Sequence, residues 1–198
     1  MRTLAAGARE DGLSPECEAA MAELIARHQM AVYGTIVKML GDRTEAQDLA
    51  QQVFLRVYKA APNYKPTAQF RTWLFTIVRN LVFNESRRRS RAKFLPLATG
   101  EPGREDRDDP HAAHQELPDP KMKTPGQEAL DHEMIAAVDR AILALPEQQR
   151  LAVVLRRYDE LSYDEIAEVM KTTVPSVKSL LFRARETLRE ALRAYLDE

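Results

Sequence analysis

The chain of 198 residues contains a single cysteine and no long apolar run. One cysteine cannot form an intramolecular disulfide, so Cys17 excludes a disulfide-stabilised secreted domain and favours a reducing compartment. No segment approaches the roughly 18 apolar residues that a membrane-spanning helix needs. Residues 1–15 are small and polar without an apolar centre, so we expect no signal peptide there. These absences predict a soluble, cytoplasmic protein with no direct membrane insertion.

Residues suited to catalysis or metal binding are also scarce. The histidines show no ligand spacing with Cys17, and His111 and His114 fall in a proline-rich segment. The sequence contains no recognisable phosphate-binding loop, GxSxG motif or paired-carboxylate site. We therefore expect no enzymatic activity, no small-molecule substrate, no metal and no cofactor.

The formal net charge of -1 hides a local excess of positive charge. Residues 1–91 hold 14 basic and 9 acidic residues, whereas residues 127–198 hold 10 and 14. The basic excess is densest at Arg87, Arg88, Arg89 and Arg91. Contact with phosphate depends on such a local patch rather than on the net charge, so a nucleic-acid partner is compatible with this composition.

Hydrophobic periodicity predicts an all-α protein of two small helical domains joined by a flexible linker. After a flexible N-terminus at 1–15, the first domain (16–91) is predicted as helices over 16–40, 46–60 and 68–91. Thr44 and Gln47 are predicted to cap the second of these helices. Residues 92–125 contain six prolines and an acidic cluster, a composition that cannot bury enough apolar surface to fold. The second domain (126–198) is predicted to have helices ending at 145 and 158, followed by a final helical pair.

The final pair, residues 161–185, has the layout of a helix-turn-helix. Ser162 and Glu165 form a capping box, and Thr173 is placed to cap the second helix, with Pro175 in its first turn. A buried seam on that helix consists of Val177, Leu181, Ala184 and Leu188. Polar and aromatic side chains off the seam are Ser176, Lys178, Ser179, Phe182 and Arg183. In a helix-turn-helix this second helix enters the major groove of DNA, and the alternative is a solvated helical hairpin.

A second polar stripe lies on the predicted third helix and consists of Arg79, Asn80, Asn84, Arg87, Arg88 and Arg91. Asparagine can recognise base edges and guanidinium groups hold phosphates, although cations at a helix C-terminus are favoured by the helix dipole alone. The loop before this helix carries Asn63, Tyr64 and Lys65, a mixture that suits an unstacked base or an ordinary helix connection. Trp73 lies beside Ile77 and is predicted to belong to the core.

Two blocks of the sequence together resemble one protein family. Residues 41–58 (GDRTEAQDLAQQVFLRVY) and 70–80 (FRTWLFTIVRN) resemble conserved domain 2 of bacterial RNA polymerase sigma factors. Residues 145–155 (LPEQQRLAVVL) and the helix-turn-helix resemble domain 4. Two such domains with only a linker between them are similar to the extracytoplasmic-function (ECF) group.

This resemblance implies a sigma factor that binds core RNA polymerase, recognises −10 and −35 promoter elements and captures unstacked −10 bases. It implies contact with the polymerase flap and with the clamp helices, the latter through Asp48, Gln51, Phe54 and Arg56. It assigns the −10 element to Asn63, Tyr64, Lys65, Arg79, Asn80, Asn84, Arg87, Arg88 and Arg91. It assigns the −35 element to Thr173, Ser176, Lys178, Ser179, Phe182 and Arg183. Promoter DNA and an anti-sigma factor are the further partners it implies.

The sequence also departs from the family pattern. Gln47 and Gln52 replace side chains that are often acidic, so clamp docking is expected to depend more on Asp48. Lys171 replaces the usual turn glycine. Leu180 and Phe182 replace side chains that are often basic or imidazole groups. Either this helix binds DNA phosphates less strongly, or Leu180 is partly buried at the edge of the seam.

Apart from the resemblance, three other functions fit these residues. They are a two-domain DNA-binding regulator that acts without polymerase, a helical adaptor for an acidic protein, and an RNA-binding protein that uses residues 87–91.

Overall fold

Helices form nearly all of the described structure. The computed structural model describes residues 8–9, 12–13, 15–65, 69–94 and 125–196. Helices α1 to α3 span Pro15–Leu40, Arg43–Ala60 and Phe70–Phe94, with a 3-10 turn at Ala61–Asn63. Helices α4 to α8 span Pro125–Ala144, Glu147–Arg157, Tyr163–Met170, Val174–Ala191 and Arg193–Leu196. The short strands β1 (Ala8–Arg9) and β2 (Gly12–Leu13) pair antiparallel. The all-α prediction is confirmed.

Several predicted features lie partly or wholly outside the described residues. The linker prediction, residues 92–125, is described only at its two ends, and His111 and His114 lie in its undescribed part. Within the predicted flexible N-terminus, the structure describes the β1–β2 pair and Pro15. Across the described ranges, no helix is both long enough and apolar enough to cross a membrane.

Helices α1, α2 and α3 pack on one another around a core that includes Val32, Ile36, Val53 and Leu74. The start of α2 differs from the prediction. Its N-cap is Asp42, whose side chain accepts a hydrogen bond from the Glu45 backbone N–H at 2.9 Å. The predicted cap at Thr44 and Gln47 is therefore wrong. Aspartate is at least as good an N-cap as threonine, and here Asp42 already satisfies an N–H group that would otherwise lack a partner.

The helix-turn-helix, α6 and α7, forms as predicted. The Ser162 hydroxyl accepts from the Glu165 N–H at 3.2 Å, and the Glu165 carboxylate accepts from the Ser162 N–H at 2.8 Å. Thr173 accepts from the N–H of Ser176 and caps α7. Three seam residues are buried and Leu188 is half-buried. Local capping and periodicity thus predicted this unit correctly.

The two helical domains also pack against each other. Helix α3 lies against α6, and α1 contacts both α4 and α5. Val32 and Ile36 of α1 share one continuous core with Leu155 of α5 and Ile166 of α6. The sequence predicted two domains and a linker, but it contained no signal for this contact. The contact accounts for the broad buried face on the first part of α3, which is covered by more than one helix.

Candidate nucleic-acid interface

The side of α7 opposite its buried seam is open to solvent. All six predicted −35 residues are exposed, namely Thr173, Ser176, Lys178, Ser179, Phe182 and Arg183. The Thr173 hydroxyl is occupied by capping, and Phe182 is 64% exposed. Leu180 is half-buried and packs against the core, which fits a place at the edge of the seam. The exposed face therefore offers hydroxyls, two cations and one aromatic ring.

The cations of this face are available to an anionic partner. Lys178 and Arg183 form no ion pair with any residue that the structure describes. Arg185 is also exposed, and it follows Lys178 by seven residues, so it lies on the same side of the helix. The sequence reasoning missed Arg185, although this spacing could have identified it. Three cations in this arrangement can contact a phosphate backbone.

The polar stripe on α3 is divided by the structure into two parts. Arg79 and Asn80 are half-buried, and the Arg79 guanidinium donates to the Asn80 side-chain oxygen at 3.1 Å. The same guanidinium lies 5.2 Å from the centroid of the Phe83 ring. Asn84, Arg87 and Arg91 are exposed, and they line a shallow cleft at the end of α3 together with Arg88 and Ala92.

An ion cluster occupies part of the arginine run. Arg88 contacts Glu85 at 2.6 Å and Glu45 at 3.0 Å, and its hydrogen bond and charge interaction with Glu85 raise its pKa. Arg89 pairs with Glu45 and donates to the Leu40 carbonyl at 3.1 Å. Arg87 and Arg91, in contrast, have no ion-pair partner within the described ranges. Arg88 and Arg89 connect helices, whereas Arg87 and Arg91 remain available to phosphate.

An aromatic cluster forms the base of the loop before α3. The Tyr64 ring packs edge-on against Trp73 with centroids 4.8 Å apart, and Phe70 lies between Trp73 and His28. Burial, followed by the charges of Arg71 and Arg27, lowers the pKa of His28. Trp73 packs against the core, as predicted. Asn63 and Lys65 are exposed, and the next residues of this loop, 66–68, lie outside the described structure.

The outer face of α2 combines polar and apolar groups. Asp48, Gln51 and Arg56 are exposed, whereas Phe54 is half-buried and packs against the core. Leu55, which the sequence reasoning did not select, is 58% exposed. It follows Asp48 by seven residues and therefore shares its face. This face therefore combines exposed polar side chains with an exposed apolar one.

Among the described residues, no group of three or more His, Cys, Asp or Glu side chains could hold a metal ion. The candidate functional surfaces are convex helix faces and shallow clefts rather than an enclosed pocket.

These surfaces define a class: a helical DNA-binding protein whose second domain carries a helix-turn-helix. The family description "Sigma-70 region 2" matches residues 24–92, and "Sigma-70, region 4" matches residues 135–188. The RNA polymerase sigma-H factor of Pseudomonas aeruginosa is 37% identical over 175 residues, which cover 88% of this chain and 87% of the relative. The ECF RNA polymerase sigma factor SigW of Bacillus subtilis is 30% identical over 175 residues, covering 88% and 89%.

The chain belongs to the ECF family of bacterial RNA polymerase sigma factors. Proteins of this family act in transcription initiation with core RNA polymerase and promoter DNA, as transcription regulators rather than as conventional enzymes.

Solved structures support the fold. The sigma factor RpoE of Bartonella quintana, in complex with the anti-sigma factor NepR, has a TM-score of 0.64 and 20% identity, covering 88% of this chain and 97% of that chain. CnrH, in complex with the cytosolic domain of CnrY, has a TM-score of 0.65 and 21% identity, covering 98% and 94%. At these identities the comparison concerns architecture alone.

Proposed function

We propose that this sigma factor recognises the −35 element with α7 and the −10 element with the end of α3, and that it stabilises the open −10 region. The observation that carries the proposal is the exposed face of α7. Its cations, hydroxyls and Phe182 face solvent while the opposite seam is buried. A helix-turn-helix with this orientation presents its second helix to the major groove.

The −10 role is assigned mainly to Asn84, Arg87 and Arg91. The two arginines would hold phosphates and Asn84 would contact a base edge, because these three side chains are exposed in one cleft. Asn63, Tyr64 and Lys65 would contact an unstacked base, with Arg79 and Asn80 supporting the adjacent helix surface. Strand opening then needs no catalysis, because preferential binding of unstacked bases shifts the equilibrium towards the open form.

The outer face of α2 is the proposed contact with the clamp helices of core polymerase. Asp48, Gln51 and Arg56 supply polar contacts, and Leu55 adds an apolar one. Phe54 contributes only its exposed edge. The second domain would contact the flap. An anti-sigma factor is a further proposed partner. A neighbouring gene for a small membrane protein would support this partner, and the product of such a gene should inhibit transcription.

The test combines the protein with core polymerase on genomic DNA fragments. Promoter-specific transcripts should appear only when both are present. Absence of initiation, together with absence of co-purification with core, would overturn the proposed function and favour a regulator that acts without polymerase.

The docking face is tested by Asp48→Ala, which should weaken binding to core without changing the circular dichroism spectrum. Glu18→Ala is the matched control, because Glu18 is an exposed acid on α1. Equal affinity of the two variants for core would contradict the assignment of Asp48.

A further inference from the structure

A buried polar contact joins the two helical domains. Asp159, in the turn between α5 and α6, is 3% exposed. Its carboxylate accepts a hydrogen bond from the Thr35 hydroxyl of α1 at 2.8 Å. Arg71 of α3 donates to the main-chain carbonyl of Asp159 at 2.5 Å. This turn of the second domain is therefore held by two helices of the first.

Partly buried contacts surround this point. The Lys38 ammonium of α1 lies 2.9 Å from the Asp139 carboxylate and 4.2 Å from the centroid of the Tyr158 ring. Arg150 of α5 donates to the main-chain carbonyl of Met39 at 2.5 Å. Together with the shared apolar core, these contacts define one docked arrangement of the two domains.

The docked arrangement is too small to hold both promoter elements at once. Elements centred near −10 and −35 lie about 25 base pairs apart, or about 85 Å along B-DNA. A compact chain of this length has a radius of gyration of about 16 Å and hence a diameter of about 40 Å. The sequence between the last helix of the first domain and the first helix of the second, residues 95–124, has a maximum reach of roughly 100 Å. Binding both elements therefore requires the domains to separate.

We propose that Asp159 is a proton-dependent latch that stabilises this docked arrangement, the closed form of the two domains. The need to open rests on the proposed function. The latch itself rests on the contacts of Asp159 and is independent of that function.

Burial raises the pKa of Asp159 to about 7, although the Thr35 hydrogen bond and the Arg71 charge act in the opposite direction. Nearby charged groups on the packed elements have other partners. Lys38 of α1 contacts Asp139, Arg156 of α5 donates to the Leu161 carbonyl, and Glu165 of α6 caps its own helix. Glu160, next to the latch, is exposed. Arg71 is therefore the cation that most directly opposes protonation of Asp159.

Protonation of Asp159 favours closure. In the open form the carboxyl group would face solvent and return towards its ordinary pKa of 3.8. Because the closed form has the higher pKa, this contribution to closure is complete below about pH 3.8 and is lost as the pH rises through about 7. Between pH 6 and pH 8, the closing equilibrium constant should fall about tenfold.

The latch can be measured on the full chain without polymerase. Ala26 of α1 and Ala191 of α7 are exposed, so cysteines at these positions in a Cys17→Ala background can carry a donor and acceptor pair. Energy transfer should report the fall of about tenfold in the closing equilibrium constant from pH 6 to pH 8. Asp159→Asn should remain closed at both pH values, because its amide mimics the neutral acid. Glu168→Gln, which alters an exposed acid on α6, should respond to pH like the wild type.

A second variant protects the test against a failure of Asp159→Asn to fold. Thr35→Val removes the hydroxyl that donates a hydrogen bond to the Asp159 carboxylate. The closing equilibrium constant at pH 8 should therefore decrease, while the helical circular dichroism signal is retained. A pH-independent wild type, or an unchanged pH response in Asp159→Asn, would overturn the latch.

A functional experiment tests the need to open. With core polymerase at pH 8, Asp159→Asn should form promoter complexes up to about tenfold more slowly than Glu168→Gln, because it stays closed. Equal rates would refute opening as a required step. If the wild type itself fails to initiate, the proposed function is wrong, and the energy-transfer result still decides whether the latch exists.

Discussion

Lys171, in the turn of the helix-turn-helix, adopts a left-handed backbone conformation with φ 53° and ψ 50°. This conformation brings Cβ close to the following carbonyl and costs a non-glycine residue about 1–2 kcal/mol. The side chain is exposed, and the hydrogen bond from the Lys171 N–H to the Glu168 carbonyl, at 3.1 Å, involves only the main chain. Lys171→Gly should therefore preserve the turn and remove its strain.

Part of this gain is offset in the unfolded state. Glycine loses about 0.5–1 kcal/mol more backbone entropy on folding than a residue with Cβ, so the net stabilisation should be about 0.5–1 kcal/mol. For a chain of this size, that change corresponds to a rise in Tm of about 1–4 °C. Differential scanning calorimetry of the full chain can resolve a shift of this size.

Lys171→Ala is the matched control, because it removes the same charge and the same long side chain but keeps Cβ. We expect it to leave Tm nearly unchanged. If the alanine variant is stabilised as much as the glycine variant, removal of charge rather than backbone strain is the cause. A lower Tm for Lys171→Gly would refute the reasoning outright.

Two further predictions concern arginines with different partners. Arg91→Gln should weaken promoter binding for all sequences and lower the slope of log affinity against log salt by about one, because one phosphate contact is lost. Arg89→Gln removes a partner of Glu45, so it should lower Tm and leave that slope unchanged. Fluorescence anisotropy of labelled promoter DNA with each variant bound to core polymerase, at several salt concentrations, measures this, and equal slopes for the two variants would contradict it. Arg150→Met should reduce the free energy of unfolding by about 2–3 kcal/mol, because the Met39 carbonyl and two carbonyls near the end of α4 lose a charged donor. Urea titration tests this value, and a loss below about 1 kcal/mol would contradict it.

The features that the sequence predicted well are local ones. Ser162, Glu165 and Thr173 cap their helices within three residues, so their roles can be recognised without knowing the fold. The start of α2 was misplaced because Asp42 and Thr44 are both good N-caps and lie two residues apart. Local chemistry identifies such a boundary only to within a few residues.

Helical periodicity partly predicted which side chains of the candidate site are exposed. It did not predict which of them form ion pairs or hydrogen bonds with distant residues. Helical spacing placed Lys178, Arg183 and Arg87 on exposed faces, as the structure has them. It could not show that Arg88 is paired with Glu45, which lies 43 residues away in the chain. The Thr35–Asp159 contact spans 124 residues and has no local signal at all. Partners of this kind depend on tertiary packing, which no short sequence pattern records.

In the closed form, binding to core polymerase and binding to both promoter elements place different demands on the two domains. The outer face of α2 remains exposed in the docked arrangement, because the main neighbours of this helix are α1, α3 and the 3-10 turn. Docking of α2 on core polymerase therefore does not require the domains to part, whereas holding both promoter elements does. Opening would also uncover apolar side chains of the core that the two domains share. Burying each such side chain is worth about 1.5–3 kcal/mol, so polymerase must cover this surface or supply the opening energy through its other contacts. On this argument, the closed protein can be recruited by polymerase but cannot hold a promoter alone.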